Sequence, residues 1–194
     1  MFTPALTGDP TGPFVVGATS GPPFGTGSLN FAVAATEKAT FGNEVEFFNT
    51  PFAVTAVGFH VLNVGENTPA GNMPGIAFEI DPNIGAFATN YSTLVYTPTS
   101  TPPGWSDYID GTTEGLWGLT GTAFNGQNCS LNGPRCTWAE MMTFLGDGGA
   151  GPTLYTVAIT KGVDNAWHGA IDGLRINDTV YNFEEHGVVA EPAV

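Results

Sequence analysis

The stretch Gly75-Ile-Ala-Phe-Glu-Ile-Asp81 alternates large apolar residues with small or acidic ones. The apolar residues occupy positions 76, 78 and 80, and Glu79 and Asp81 point the other way. Successive side chains of a β-strand lie on opposite faces, so this pattern predicts a strand with one buried and one solvated face. Strands of this kind are typical of antiparallel sheets.

Similar strand candidates recur along the rest of the chain. They are residues 28–34, 44–48, 52–64, 94–96, 154–160, 170–176 and 179–183. Asn177-Asp178 separates the last two as a compact hairpin turn. The 27 glycines and 15 prolines are spread between these segments and favour many short strands. We therefore predict an all-β fold, an antiparallel two-sheet sandwich that is jelly-roll-like.

One short α-helix is expected near residues 137–145. Thr137 and Glu140 have the spacing of a capping box, in which each side chain bonds the other residue's backbone N–H. Gly146 is a suitable residue to end the helix. A helix of this length serves as a lid or an edge plug of the sandwich.

The chain divides into an extended arm at residues 1–26 and a single β-sandwich domain at residues 27–194. The arm is rich in Thr, Gly and Pro, and its one apolar run is Phe14-Val-Val16. We expect the arm to pack against the domain or against a neighbouring subunit, which makes a homo-oligomer an open alternative.

The charge balance excludes several partners. The net charge is −14, and the four basic residues, Lys38, Arg135, Lys161 and Arg175, are scattered singly. Nucleic acids and anionic membranes both require a basic patch, which this sequence lacks. No apolar run approaches the roughly 18 residues of a membrane-spanning helix, so membrane insertion is not expected.

Cys129 and Cys136 flank a six-residue segment that contains the turn-forming Asn132-Gly-Pro134. We predict a disulfide between them and hence an oxidising, extracellular location; two buried free thiols are the alternative. A metal-binding pair is weakly supported, because no further Cys or His pair lies nearby. Residues 1–16 lack the basic and apolar segments of a signal peptide, so we expect either a removed leader or export by another route, as for virion proteins.

Sequence motifs for catalysis are absent: there is no Gly-x-Ser-x-Gly, His-Glu-x-x-His or Cys-x-x-Cys. The densest acidic segment is residues 107–114, with Asp107, Asp110 and Glu114. It favours a solvated loop, with calcium binding or a glycosidase carboxylate pair as alternatives. No cofactor is predicted to be essential.

The aromatic residues of loop-like segments are the predicted ligand-binding residues. Trp105, Tyr108 and Trp117 lie in the Gly/Thr/Pro-rich stretch 98–122, beside Asp107 and Asp110. Aromatic faces stack on sugar rings and acidic neighbours bind hydroxyls, so the set is a candidate glycan platform; plugging of the core is the alternative. A second, weaker candidate is the pair Trp167 and His168.

Residues 167–184 resemble the closing strands of jelly-roll modules of bacterial extracellular proteins. The shared pattern is Ile171-Asp-Gly-Leu-Arg-Ile176, and carbohydrate-binding modules and lectin-like domains have it. Gly25-Thr-Gly-Ser-Leu29 is similar to their opening strand. The resemblance implies a glycan-binding function and a structural calcium held by Asp172; backbone hydrogen bonding by Asp172 is the alternative.

These observations lead to three functional hypotheses. The first is a non-catalytic, surface-exposed module that binds glycans or a cell surface. The second is a decoration or coat subunit of a virus particle or surface appendage, held in an assembly by residues 1–26. The third, least favoured, is a glycoside-active enzyme.

Overall fold

Short strands make up most of the regular secondary structure. In chain order they are β1 (Thr3–Thr7), β2 (Phe14–Val16), β3 (Gly27–Val33), β4 (Lys38–Asn43), β5 (Thr50–Pro51), β6 (Val57–Asn63), β7 (Gly75–Asp81), β8 (Ser92–Thr97), β9 (Gly104–Trp105), β10 (Ile109–Asp110), β11 (Leu116–Leu119), β12 (Thr153–Lys161), β13 (Trp167–Ile176), β14 (Thr179–Glu184) and β15 (Gly187–Pro192). The helix α1 spans Trp138–Leu145. This computed structural model describes residues 21–66 and 71–194, and the backbone of β1 and β2.

The first sheet, sheet A, has the order β1-β4-β12-β7-β8-β11, with β5 beside β12. All of its pairs are antiparallel. Strand β7 is the segment that alternates most clearly in the sequence, and it lies inside the sheet between β12 and β8. Ile76, Phe78 and Ile80 are fully buried, as the alternation predicts.

The second sheet, sheet B, is built around the long strand β13. Strand β6 pairs along one side of β13, while β3 and β14 pair along the other. The chain changes sheets repeatedly, for example between β3 and β4, between β6 and β7, and between β12 and β13. The predicted all-β, two-sheet, jelly-roll-like sandwich is thereby confirmed.

The apolar core lies between the two sheets and is rich in aromatic rings. The rings of Phe59 and Tyr96 meet edge to face at 6.2 Å, and Phe78 stacks on Trp117 at 5.7 Å. Helix α1 closes one end, where the Trp138 ring packs 4.8 Å from that of Trp117.

The start of helix α1 follows the predicted capping box. The Thr137 hydroxyl accepts a hydrogen bond from the Glu140 N–H, and the Glu140 carboxylate accepts one from the Thr137 N–H at 2.9 Å. The helix ends at Gly146, as predicted. The predicted disulfide joins Cys129 and Cys136, whose Cα atoms are 4.8 Å apart.

The prediction of a strand at residues 44–48 is wrong, since these residues form turns. Asn43 is the cause: its side-chain oxygen accepts hydrogen bonds from the N–H groups of Val45 and Glu46 at 3.0 and 3.1 Å. A side chain that satisfies the backbone locally removes the need for a strand partner. The strand of this region is β4, which precedes the turn.

The segment 52–64 is only partly extended, because β6 begins at Val57. The Asn177 side chain accepts hydrogen bonds from the N–H groups of Thr55 and Ala56 at 2.7 and 3.3 Å. This contact with the β13–β14 turn replaces sheet pairing. The stretch 98–122, which looks like loop in the sequence, contains the short strands β9, β10 and β11.

The described parts of the predicted arm pair with strands of the same chain, β1 with β4 and β2 with β3. Residues 1–2, 8–13 and 17–20 lie outside the described residues, so the arm and domain boundaries stay predictions. Within the described part of the chain, no helix has the length and apolar character needed to cross a membrane.

Candidate functional site

Trp117, one of the predicted glycan-stacking residues, is a core residue. It is 0% exposed, and its indole nitrogen donates a hydrogen bond to the Gly111 carbonyl at 2.7 Å. A ring without exposed surface cannot stack on a sugar, so the core-plugging alternative describes Trp117.

Trp105 and Tyr108 are half-buried at the edge of sheet B. The indole nitrogen of Trp105, in β9, is buried, so this donor is not presented to a ligand at the surface. The Tyr108 ring packs 5.8 Å from that of His60. Burial, assisted by the charge of Asp110, raises the pKa of Tyr108 to about 12. Both aromatic residues thus lie at the edge of sheet B with half-buried side chains, and ligand binding by them stays a prediction.

The acidic segment 107–114 organises its own turn. The Asp110 carboxylate accepts hydrogen bonds from the Thr112 N–H and hydroxyl at 2.8 and 2.7 Å, while the Asp110 N–H donates to Glu114. Asp107 is exposed. Among the described residues, no three His, Cys, Asp or Glu side chains are grouped to hold a metal ion.

The second predicted pair, Trp167 and His168, lies on β13 with the two side chains on opposite faces. Trp167 is buried in the core, and His168 is exposed opposite Ala32 of β3. The two side chains therefore cannot bind one ligand together.

Asp172 is fully buried and bonds the backbone of three segments. Its carboxylate accepts hydrogen bonds from the N–H groups of Phe24 at 2.9 Å, Gly173 at 2.8 Å and Phe183 at 3.3 Å. Burial raises its pKa to about 6, although these bonds act in the opposite direction. This geometry matches the backbone-bonding alternative, and calcium binding by Asp172 stays a prediction.

A concave feature lies elsewhere, on the face of sheet A that is turned away from sheet B. It is a groove of about 580 Å³, called the outer groove below. Its floor consists of outward-facing residues of β4, β12, β7 and β8, at three levels along the strands. Each level contains one residue from each of the four strands, in that order, with Glu44 directly after β4. The middle level consists of Gly42, Ala158, Ala77 and Val95. The level on one side of it consists of Thr40, Thr160, Gly75 and Thr97, and the level on the other side consists of Glu44, Thr156, Glu79 and Thr93.

Small side chains at the middle level make the groove deep, and hydroxyl groups make its sides polar. The Thr40 and Thr160 hydroxyls lie 3.0 Å apart across neighbouring strands. Each can donate or accept towards a ligand as well as to the other. A floor of this kind can bond the hydroxyl groups of a ligand and also contact its apolar parts.

One wall of the outer groove is the disulfide loop, residues 129–136. The Leu131 N–H donates to the Leu119 carbonyl at 2.8 Å, which draws the loop over the outer face of β11. A side chain at Gly118 would begin only 2.7 Å from the Leu131 Cα, so the small residue permits this crossing. From the wall, the Arg135 guanidinium reaches Thr97 on the floor, and its Nη1 donates to the hydroxyl at 2.7 Å.

Exposed aromatic rings stand near the Glu79 end of the outer groove. Tyr91 is 50% exposed, and its hydroxyl donates to Glu79 at 2.7 Å. Burial and this hydrogen bond raise the pKa of Tyr91. Phe48 is 64% exposed and pairs with Tyr155, ring centroids 5.7 Å apart, next to floor residue Thr156.

None of the seven predicted ligand-binding residues lines the outer groove. The sequence of β7 contained part of the evidence for the groove, because its alternation places Ala77 and Glu79 on the face opposite the core residues. The sequence does not state which strands lie side by side, and the groove depends on that order.

Comparison of the chain with protein-family models, with curated proteins and with solved structures gives no match. The function is therefore argued from the geometry of the outer groove.

Proposed function

We propose that this chain is a non-catalytic, extracellular binding module that holds a glycan in the outer groove of sheet A. The observation that carries the proposal is the groove itself: about 580 Å³, open, and floored by glycine, alanine and threonine. Its volume lies within the range of roughly 300 to 1,000 Å³ that is common for small-molecule sites.

The chemistry of the lining supports a sugar. Threonine hydroxyls at the floor can exchange hydrogen bonds with sugar hydroxyls. The nearby rings of Tyr91 and Phe48 have exposed faces on which the apolar face of a sugar ring can stack. The disulfide beside the groove supports an oxidising location. The likeness of residues 171–176 to carbohydrate-binding modules supports the same function.

Filling the groove tests the proposal. The variant Ala77→Phe places a ring in the middle of the floor, on the face of β7 opposite the core, and phenylalanine is well suited to strands. We expect it to weaken binding to polysaccharides at least about tenfold, equivalent to about 1.4 kcal/mol. Affinities would be measured by calorimetry against soluble xylan, mixed-linkage glucan, mannan and polygalacturonate.

The matched control is Ala32→Phe, the same substitution on sheet B opposite the exposed His168. We expect it to leave affinity unchanged, with melting temperatures of both variants close to that of the wild type. Equal binding by the wild type and Ala77→Phe would contradict the proposed site.

Glycoside cleavage is a second candidate, favoured by one observation. Glu44 and Glu79 both line the outer groove, with β12 between them. Glycosidases hold two carboxyl groups roughly 5 to 9.5 Å apart, which side chains from strands about 10 Å apart can reach.

Release of reducing ends from the same polysaccharides decides between the two candidates. An enzyme requires release that is abolished by Glu79→Gln or Glu44→Gln and unaffected by Glu185→Gln, a change at an exposed position that follows β14 of sheet B. The non-catalytic proposal requires binding without release.

A further inference from the structure

The few basic residues of this protein are concentrated at the outer groove. Of the four in the whole chain, three line it: Lys38, Arg135 and Lys161. The fourth, Arg175, lies on β13 of sheet B. In a chain of net charge −14, the groove lining is formally neutral, because its three basic residues are matched by Glu44, Glu79 and Asp164. What distinguishes the groove is the separation of these charges along its length.

The guanidinium of Arg135 is held in place without an ionic partner. Its Nε donates to the Leu131 carbonyl at 3.3 Å and its Nη1 donates to the Thr97 hydroxyl at 2.7 Å. Among the described residues, no carboxylate forms an ion pair with it. Its Nη2 hydrogens remain available, so the fixed side chain presents a charged donor to the groove.

The other two basic residues differ from Arg135. Lys161 is buried and its ammonium is paired with Asp164, so its charge is already compensated. Lys38 is exposed at the start of β4, two residues before Thr40 and on the same face of the strand. Lys38 and Arg135 thus stand on opposite sides of the same end of the groove.

Two of the three acidic lining residues lie at the opposite end, whereas the third, Asp164, is paired with Lys161 at the Lys38 end. Glu44 and Glu79 belong to the floor level farthest from Lys38, and Glu79 accepts a hydrogen bond from Tyr91. The groove consequently has different charges at its two ends. At one end are Lys38 and Arg135, for which the described residues provide no ion-pair partner, and at the other are carboxylates with exposed aromatic rings nearby. A negatively charged group of a ligand is stabilised only at the first end.

We infer that the glycan bound by this groove carries carboxylate groups, as uronic acids do, and that Arg135 binds one of them with Lys38 in support. This inference rests on the proposed function and specifies its ligand class. Arginine is suited to the task because its planar donors match a carboxylate and its charge is permanent. Because Thr97 and Leu131 already orient the Arg135 side chain, less conformational entropy is lost when Arg135 binds a carboxylate.

The test compares polygalacturonate with its fully methyl-esterified form, which has the same backbone but no free carboxylates. By calorimetry at about 0.15 M salt, where the repulsion between a polyanion and a chain of net charge −14 is largely screened, we expect the wild type to bind the acid form at least about tenfold more tightly, since hydrogen bonds to charged groups are strong.

Arg135→Gln keeps a donor for Thr97 and removes the charge, and we expect it to abolish most of the preference. Arg175→Gln is the matched control, because it alters the only other arginine, and it is expected to retain the preference. Lys38→Gln alters an exposed side chain and should reduce affinity for the acid form about two- to fivefold. It serves as the decisive variant if the melting temperature shows that Arg135→Gln is misfolded.

Equal affinity for the two forms would overturn the inference and leave the glycan-binding proposal intact. Binding to none of the polysaccharides would instead overturn the proposed function. Binding of polyglutamate as tightly as polygalacturonate would show that the site selects acidic chains in general and would overturn the choice of a glycan.

Discussion

At the scale of single residues, the buried carboxylate of Asp172 helps to hold residues 21–27 in place. It bonds Phe24, while Glu184 accepts hydrogen bonds from the N–H groups of Thr26 and Gly27. Asp172 also bonds Phe183 in β14. One buried and one half-buried carboxylate thus attach the segment that leads into β3 to the neighbouring strands β13 and β14. Asp172, the aspartate of the pattern shared with lectin-like domains, therefore bonds the protein's own backbone.

Asp172→Asn is expected to lower the free energy of unfolding. An amide nitrogen would face the Phe24 N–H or one of the other two donors, leaving a buried donor unsatisfied at a cost of about 1 to 3 kcal/mol. Urea unfolding of the wild type and the variant at neutral pH measures this difference. Equal midpoints would show that the three hydrogen bonds do not stabilise the fold.

The pH dependence of the same comparison tests the burial of Asp172. Its pKa of about 6 in the folded protein exceeds the ordinary value of 3.8, so the folded state binds the proton more tightly than the unfolded state. The associated stability is present below pH 4 and is lost as the pH rises through 6. The gap between wild type and Asp172→Asn should therefore be larger at pH 4 than at pH 7, by up to about 3 kcal/mol. A gap that widens with rising pH would show that the hydrogen bonds outweigh burial.

At the scale of elements, the disulfide loop connects stability with the outer groove. It contributes Leu131 and Arg135 to the wall, and it pairs with β11, where the Trp117 N–H donates to the Cys136 carbonyl at 2.7 Å. The loop therefore covers an edge of sheet A that would otherwise expose unpaired backbone groups.

Replacing both cysteines, in Cys129→Ala/Cys136→Ala, is expected to lower the free energy of unfolding by about 2 to 3 kcal/mol, the chain-entropy value for a loop of about eight residues. The same variant should bind polygalacturonate more weakly than the wild type at a temperature where both are folded, because Arg135 loses its fixed position. Reduction of the wild type should reproduce both effects. If stability falls and affinity is unchanged, the disulfide loop stabilises the fold but does not contribute to binding.

The elements that sequence patterns predicted are those whose determinants are local. The capping box of Thr137 and Glu140 and the alternation of residues 75–81 each depend on neighbours within a few positions. Residues 44–48 show the limit, since the side chain of Asn43 overrides an alternating pattern. The outer groove was beyond prediction because its floor joins β4, β12, β7 and β8, and Arg135 meets Thr97 across 38 positions of sequence.

At the scale of the whole molecule, the two sheets have different outer faces. Sheet A carries a deep groove with three of the four basic residues, whereas the predicted aromatic residues Trp105 and Tyr108 lie at the edge of sheet B. The net charge of −14 repels anions from most of the surface, so the proposed anionic glycan is expected to bind at the groove end near Arg135. Binding in this account belongs to a sheet face and does not depend on the loop tryptophans.

Backbone amide NMR shifts during titration with a short oligogalacturonide test this claim most directly. We expect the largest changes at Thr40, Ala77, Val95, Arg135 and Ala158, on the outer face of sheet A and in the disulfide loop. Changes centred on residues 105–110 or on His168, with sheet A unaffected, would contradict the account.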